Sequence, residues 1–182
     1  MEESLDMQIL SLVRDPTRME EGFRLLLQEY QERLYWHIRR LVIQHDDAND
    51  VLQNVLIKVY RNIHHFEGKA QLYTWLYRIA TNETLTFLNK KKKKSAISLD
   101  QEITNLADTL KADDYFDGSA VQLKLQQAML SLPEKQKLIF SMRYFEGLSY
   151  KEIATILETS VGGLKASYHH AVKKIEAFVK EI

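Results

Sequence analysis

The sequence has no cysteine, and only 2 prolines and 6 glycines occur among its 182 residues. Without cysteine, the chain has neither a disulfide framework nor a cysteine-ligated metal site. Because proline and glycine are the residues that most often interrupt helices, their scarcity favours a helical chain. Hydrophobic residues make up 45% of the sequence, which is enough to form packed cores.

Long hydrophobic runs are also missing. No apolar run approaches the ~18 residues that a membrane-spanning helix needs. The first residues, Met1–Asp6, are acidic and lack the pattern of a signal peptide. We therefore predict a soluble protein of the cytoplasm, without membrane insertion.

Signatures of catalytic and metal sites are equally scarce. The chain has no paired carboxylates at catalytic spacing, no nucleophile motif and no phosphate-binding loop. His64 and His65 are adjacent, so on a helix they would not share a face, and no acidic or histidine partner occurs at metal-ligand spacing. We predict that the protein is not an enzyme, with no catalytic residue, no metal site and no cofactor.

Charge is balanced overall but segregated along the chain. Residues 1–50 contain 6 basic residues (Lys and Arg) and 11 acidic residues (Asp and Glu), and residues 51–94 contain 9 basic and 2 acidic residues. Residues 95–120 contain 1 basic and 6 acidic residues, and residues 121–182 contain 9 basic and 6 acidic residues. The four net charges alternate: −5, +7, −5 and +3. Two basic blocks separated by an acidic one indicate two DNA-facing surfaces and a spacer that avoids DNA.

Apolar residues recur at helical spacing in both halves of the chain. In the first half the pattern predicts helices over about residues 5–14, 19–43, 47–61 and 70–90, with Thr17 and Asp47 as caps. In the second half it predicts helices over residues 121–132 and 134–145. The predicted fold is all-α, with two small helical domains joined by a flexible acidic linker.

Two further helices with a tight turn between them are predicted near the C-terminus. Gly147 ends the preceding helix, and Ser149 and Glu152 have the spacing of a capping box. Glu158 and Thr159 form the turn, and Ser160 caps the second helix. The apolar stripes are Ile153, Ala154 and Leu157 on the first helix, and Val161, Leu164, Tyr168, Val172, Ile175 and Val179 on the second. This layout is typical of a helix-turn-helix, although an ordinary helical hairpin has the same pattern.

Aromatic and amide side chains lead directly into five lysines in the helix predicted from residue 70. Tyr73, Trp75 and Asn82 precede Lys90–Lys94. Aromatic rings stack on unpaired bases, and lysines hold phosphates. The combination favours binding to single-stranded or melting DNA. The simpler interpretation is that the aromatic residues belong to the core and that the lysines form a solvated helix end.

Three parts of the chain carry motifs that resemble those of one known protein family, and they occur in the same order as in that family. Residues 47–61 resemble the helix with which bacterial sigma factors bind core RNA polymerase, and residues 74–82 resemble their promoter-melting and −10-reading helix. Residues 132–136, 147–154 and 164–171 resemble their −35-reading domain. The short two-domain form is similar to that of the extracytoplasmic-function (ECF) sigma factors of the sigma-70 family.

This resemblance implies three sets of contacts. Core polymerase would be bound by Asp50, Gln53, Asn54 and Lys58. The −10 element would be opened and held by Tyr73, Trp75, Arg78, Asn82, Lys90 and Lys91. The −35 element would be read by Ser160, Lys165, Ser167, His169, His170 and Lys173. The domains would be residues 1–94, a linker over 95–120, and residues 121–182.

The implied partners are core RNA polymerase and promoter DNA, and family analogy adds an anti-sigma factor as a candidate. Asn54 replaces the acid usual in the family, and Gly163, Ser167 and His170 stand where Thr, Arg and Arg are frequent. Fewer arginines mean fewer bidentate guanine contacts, so we expect a modest intrinsic affinity for DNA.

Two alternatives remain from the sequence. A stand-alone helix-turn-helix regulator explains residues 121–182 but leaves residues 47–94 without a role. A helical scaffold for protein partners is compatible with the acidic segment, and exposure of Tyr73 or Trp75 would argue against it.

Overall fold

The computed structural model describes residues 4–94 and 120–180, and every regular element within these ranges is a helix. The chain divides into two compact units, Met1–Leu88 and Asn89–Ile182. The all-α class is thus confirmed for the described residues. Apart from Ala120, which begins a helix, the predicted linker at 95–120 lies outside them.

The helices are numbered in chain order. The first four are α1 (Leu5–Arg14), α2 (Met19–Val42), α3 (His45–Asn62) and α4 (Leu72–Lys94), with a 3-10 turn at Ile63–His65 between α3 and α4. The remaining four are α5 (Ala120–Leu130), α6 (Glu134–Tyr144), α7 (Tyr150–Leu157) and α8 (Val161–Lys180). Within the described ranges, none of these helices has the length and apolar character needed to cross a lipid bilayer.

The core of the first unit forms along the predicted stripes. Leu26, Leu34 and Ile38 of α2 are fully buried. On α3 the four predicted positions are all buried: Val51, Leu52, Val55 and Val59. The sequence predicted these positions because apolar residues recur at a regular helical spacing over several turns of α2 and α3.

Two predicted helix caps are wrong. Thr17 does not cap α2, because its hydroxyl group donates to the Asp15 carboxylate at 2.7 Å instead. Asp47 lies in the first turn of α3, which begins two residues earlier, after Gln44. Ile43 has a φ of 75° directly after α2, which is unusual for a β-branched residue and ends that helix. Only Ile43 and Gln44 separate α2 from α3, so α3 starts sooner than the acidic residues suggested.

Helix α4 is displaced along the chain relative to its prediction. It begins at Leu72 rather than Ala70 and continues to Lys94, so the lysine run forms its last turn instead of following it. Lysine is a good helix former, and positive charge at a helix C-terminus is favoured by the helix dipole.

The second unit contains the predicted pair of helices and the turn. The Ser149 hydroxyl accepts the Glu152 N–H at 3.3 Å, and the Glu152 carboxylate accepts the Ser149 N–H at 2.6 Å, which completes the capping box. Glu158 is left-handed, with a φ of 51°. Ser160 caps α8 by accepting the Gly163 N–H at 3.3 Å. The helix-turn-helix prediction is therefore confirmed.

The apolar faces of this pair differ from the prediction in detail. On α7 the buried residues are Ile153 and Ile156, while Leu157 is only half-buried. On α8 the predicted Val179 is 43% exposed, and Phe178 packs against the core instead. The core it joins consists of Ala128, Met129, Leu132, Phe140, Ala171 and Ile175.

Gly22 lets α1 and α2 approach closely. A Cβ atom placed at Gly22 would lie 2.7 Å from Val13 Cγ1, 2.8 Å from Leu12 Cβ and 2.9 Å from the Val13 backbone nitrogen. Real Cβ contacts are not that short, so a side chain at this position forces the two helices apart.

We predict that Gly22→Ala destabilises the first unit by about 1–2 kcal/mol. Overpacking costs about 1–3 kcal/mol, and the gain in helix propensity is about 1 kcal/mol or less. Urea unfolding followed by tryptophan fluorescence measures this, because both tryptophans, Trp36 and Trp75, lie in that unit. Gln28→Ala is the control, since Gln28 is an exposed residue of the same helix. An unchanged midpoint in Gly22→Ala would show that the helices can separate without cost.

His37 is a fully buried titratable group between α2 and α4. Its Nε2 atom is 3.0 Å from the Thr81 hydroxyl group, and its ring lies 5.0 Å from that of Tyr77. Burial, with a smaller contribution from the nearby Arg40 charge, lowers the pKa of His37 to about 3. The imidazole is therefore neutral in the folded protein at neutral pH.

This burial makes the folded protein less stable as the pH falls. Between about pH 6.5, where an unfolded histidine titrates, and about pH 3, the unfolded chain binds a proton at His37 that the folded chain does not. The contribution to the slope is up to about 1.4 kcal/mol per pH unit. We predict that His37→Gln reduces this slope in urea titrations at pH 7.5, 6 and 5, relative to the exposed-site variant His64→Gln. Equal slopes in the two variants would contradict the assignment.

Candidate nucleic-acid and protein interfaces

The outward face of α3 carries the predicted polymerase-binding residues. Asp50, Gln53, Asn54 and Lys58 are all exposed. Asp50, Gln53 and Asn54 are spaced three and four residues apart, so they share one face of the helix. The structure therefore brings three of these side chains together on one surface.

A groove of about 850 Å³ lies between α2 and α3, and it contains apolar residues that the sequence reasoning missed. Asp50 and Gln53 line it, as do Ile57 and Tyr60, which are 43% and 41% exposed. The Tyr60 ring packs edge-on against Phe23 of α2, with the ring centroids 5.0 Å apart. The sequence could have indicated this surface, because Ile57 and Tyr60 are large apolar residues outside the buried stripe of α3.

Lys58 is engaged within the first unit. Its ammonium group forms an ion pair with Glu83 of α4. The Glu83 side chain is only 18% exposed, whereas that of Lys58 is 56% exposed. A poorly hydrated carboxylate needs a counter-ion, so Lys58 serves first to neutralise Glu83 and to tie α3 to α4.

The six predicted residues of α4 do not form a single surface. Trp75, Arg78 and Asn82 follow at spacings of three and four, so they share one face, and Tyr73 lies on the other side of the helix because it is only two residues from Trp75. Tyr73, Trp75 and Arg78 are half-buried, and Asn82 is exposed. Lys90 and Lys91 are exposed on the last turns.

Trp75 is held on one side by an aromatic neighbour. The Phe66 ring packs against it with the centroids 5.4 Å apart and the planes at 51°. Phe66 is buried in the irregular segment between the 3-10 turn and α4, and its carbonyl oxygen accepts a hydrogen bond from Arg14 Nη2 at 3.3 Å. Sequence reasoning gave no role to Phe66 or Arg14, because each contact joins residues that are distant in the chain.

The six predicted residues of α8 have different environments. Lys165, His169, His170 and Lys173 are exposed, and Ser167 is half-buried. Ser160 is exposed, but its hydroxyl group accepts the Gly163 N–H as the helix cap.

A cluster of cations and aromatic rings surrounds Lys165. Its ammonium nitrogen lies 5.9 Å from the centroid of the Tyr150 ring, and Arg143 Cζ lies 5.1 Å from the same centroid. Arg143 Nη1 also donates to the Leu148 carbonyl at 2.9 Å. Cation–π attraction between these groups holds two positive charges beside α7 and α8. Arg143 and Tyr150 were missed, although they flank the glycine turn of the predicted motif.

This cluster continues into the core of the second unit. The Tyr150 ring meets Tyr168 edge-on at 6.2 Å, and Tyr168 stacks on Phe140 at 5.9 Å. Burial raises the pKa of Tyr168, so its hydroxyl group stays protonated at neutral pH. The side chains around Lys165 are thus anchored to buried residues.

Within residues 4–94 and 120–180, no three His, Asp or Glu side chains come together as a metal-binding group.

Comparison with known families gives two matches. Residues 26–94 match the family described as Sigma-70 region 2, and residues 122–175 match Sigma-70, region 4. The first match accounts for the half of the chain that a stand-alone helix-turn-helix regulator leaves unexplained, so that alternative is not favoured.

Curated relatives match over most of their length. An ECF RNA polymerase sigma-E factor of Haemophilus influenzae is 31% identical over 86% of this chain and 87% of its own. RNA polymerase sigma-H factor of Pseudomonas aeruginosa is 30% identical over 86% of each chain. The sigma-E factor of Escherichia coli K12 is 29% identical over 100% of this chain and 98% of its own.

Solved structures share the fold. The sigma factor RpoE of Bartonella quintana, in complex with the anti-sigma factor NepR, superposes with a TM-score of 0.69 and 22% identity over 88% of this chain and 98% of its own. CnrH, in complex with the cytosolic domain of CnrY, gives a TM-score of 0.70 and 16% identity over 98% and 99%. With both sigma-70 regions present in order and relatives at 30–31% identity, the chain belongs to the ECF sigma factors of the sigma-70 family and acts as a promoter-directing sigma factor.

Proposed function

We propose that two domains divide promoter recognition between them. Residues 1–94 bind core polymerase and open the −10 element, residues 121–182 read the −35 element, and residues 95–120 link them. The family matches at 26–94 and 122–175 support this division. The protein works by binding and positioning, in the cytoplasm, without catalysis or a cofactor.

The groove between α2 and α3 is the proposed site for core polymerase. Ile57, Tyr60 and Phe23 offer an apolar centre, and Asp50 and Gln53 provide polar groups beside it. Protein interfaces commonly combine an apolar centre containing an aromatic anchor with a polar rim. Asn54 extends the polar rim, whereas Lys58 acts mainly through its ion pair with Glu83.

Helix α4 is the proposed site for the melted −10 element. Trp75, Arg78 and Asn82 share the face that contacts bases, and Lys90 and Lys91 hold phosphates nearby. The partial exposure of Trp75 supports base stacking, which is worth about 1–3 kcal/mol per base. Tyr73 lies on another side of the helix and contributes less.

Helix α8 is the proposed −35-reading helix. Lys165, His169, His170 and Lys173 present polar groups to the major groove, while the roles of Ser160 and Ser167 are mainly structural. The cation–aromatic cluster supports the addition of Arg143 and Tyr150 to this surface, because it places a second positive charge beside Lys165.

An anti-sigma factor is a further proposed partner. Both solved structures described above are complexes, one with the anti-sigma factor NepR and the other with the cytosolic domain of CnrY. Their shared fold with this chain supports the same kind of partner here.

The observation that carries the proposal is the exposed apolar centre on α3, in the same unit as the aromatic face of α4. The test is a pull-down with purified bacterial core polymerase, followed by run-off transcription. Core binding together with promoter-specific transcripts is the expected result. Absence of core binding, with specific duplex binding by the protein alone, would instead favour a stand-alone regulator.

We predict that Tyr60→Ala weakens core binding about tenfold or more, as loss of an aromatic interface anchor does. Titration of labelled protein with core polymerase measures the dissociation constant. Met7→Ala is the matched control, because Met7 is also an exposed apolar side chain of the first unit but lies on α1, away from the groove. Wild-type affinity in Tyr60→Ala would remove the groove from the interface.

We predict that Lys165→Ala lowers −35-dependent transcription and reduces the salt slope of promoter binding by about 1. Loss of one phosphate or base contact explains both effects. Lys180→Ala, an exposed lysine at the far end of α8, should leave both quantities unchanged. If Lys165→Ala behaves like Lys180→Ala, the placement of α8 on the −35 element is wrong.

A further inference from the structure

Helix α1 has no assigned part in promoter recognition, and it lies outside residues 26–94, which match sigma-70 region 2. Nevertheless, two contacts hold it firmly on α2. The Tyr30 hydroxyl group donates to Asp6 Oδ1 at 2.5 Å, and Leu12 and Val13 pack directly against Gly22. The position of α1 is therefore fixed at both ends of the helix.

The last residue of α1 reaches the segment that precedes α4. Arg14 Nη2 donates to the Phe66 carbonyl oxygen at 3.3 Å. This carbonyl belongs to residues 66–71, which form no regular element, and Gly68 within them has a φ of 74°. Because such a segment lacks a repeating pattern of backbone hydrogen bonds, each contact to a neighbouring helix has a large effect on its position.

Phe66 transmits this contact to the surface of α4. Its buried side chain packs against Trp75 with the ring centroids 5.4 Å apart. Trp75 is partly exposed, so Phe66 restricts the part of the indole that it contacts while the rest of the side chain keeps some contact with solvent. The orientation of the exposed part of the ring depends on where Phe66 is held.

We infer that Arg14 and Phe66 are positioning residues for promoter opening, with α1 acting as a brace that sets the orientation of Trp75. The inference rests on the proposed role of Trp75 at the −10 element. Neither residue needs to touch DNA. Their effect is to remove alternative orientations of the indole before an unpaired base arrives, which lowers the ordering cost of stacking.

The test compares Arg14→Gln with wild-type protein in holoenzyme reconstituted with core polymerase. Permanganate reactivity of promoter thymines follows the rate of strand opening. We expect Arg14→Gln to slow opening about three- to tenfold, which lies within the range of indirect coupling effects, while core affinity and binding to a −35 duplex stay as in the wild type. Arg18→Gln is the control, because Arg18 is an exposed arginine that pairs with Glu21 and not with the Phe66 segment.

Two further measurements separate positioning from general stability. In the Trp75→Ala background, Arg14→Gln should have no additional effect on opening, because the residue that it positions is missing. In free protein carrying Trp36→Phe, Trp75 is the remaining tryptophan, and both Arg14→Gln and Phe66→Leu should increase its quenching by acrylamide. Phe66→Leu carries the same test if Arg14→Gln does not fold.

The outcomes are distinct. If wild-type holoenzyme opens the promoter and Arg14→Gln opens it at the same rate, the inference is overturned. It is also overturned if Arg14→Gln slows opening by the same factor in the Trp75→Ala background. Equal losses of opening and core affinity also overturn it. Failure of wild-type holoenzyme to open any promoter overturns the proposed function, and the inference falls with it.

Discussion

One face of α4 is buried against α2, and this burial determines which side chains of α4 remain outside. Leu76, Tyr77 and Ala80 are fully buried, and Thr81 contacts the buried His37. Burying a large apolar side chain is worth about 1.5–3 kcal/mol. Successive residues are about 100° apart around a helix, so rotation by a single residue in one direction would bring Tyr77 to the less buried position of Arg78. The core therefore fixes the face on which Trp75 and Asn82 lie.

Both units place an outward-facing side chain against an aromatic ring that is itself anchored inside. In the first unit, Trp75 packs on the buried Phe66. In the second, Lys165 lies over Tyr150, whose ring meets Tyr168. Aromatic rings suit this task because they combine a large buried area with few rotatable bonds. These two side chains are thereby oriented by contacts with aromatic rings, whereas surface ion pairs are weak and sensitive to salt.

The sequence predicted those features that depend on local chemistry. The capping box joins Ser149 and Glu152, which are three positions apart, and the buried stripe of α3 follows a single helical period, so both could be predicted directly from the sequence. The start of α3 could not be predicted in this way, because it follows the positive φ of Ile43 and involves a hydrogen bond of 2.7 Å between the Tyr35 hydroxyl group and His45 Nδ1. Motif matching identified the family and the helices of the candidate site. It did not find the partner of Lys58, which lies 25 residues further along the chain.

The unbroken length of α4 fixes the distance along its axis between its aromatic and basic residues. Its 23 residues extend without interruption from the aromatic end to the lysine run. At a rise of about 1.5 Å per residue, Trp75 and Lys90 are separated by about 22 Å along the axis. A DNA strand stacked as in the duplex, with about 3.4 Å per nucleotide, covers that length with roughly six to seven nucleotides. If Trp75 and Lys90 have the roles proposed for them, the helix sets the interval between the stacked base and the bound phosphate, and the DNA strand adjusts to that interval.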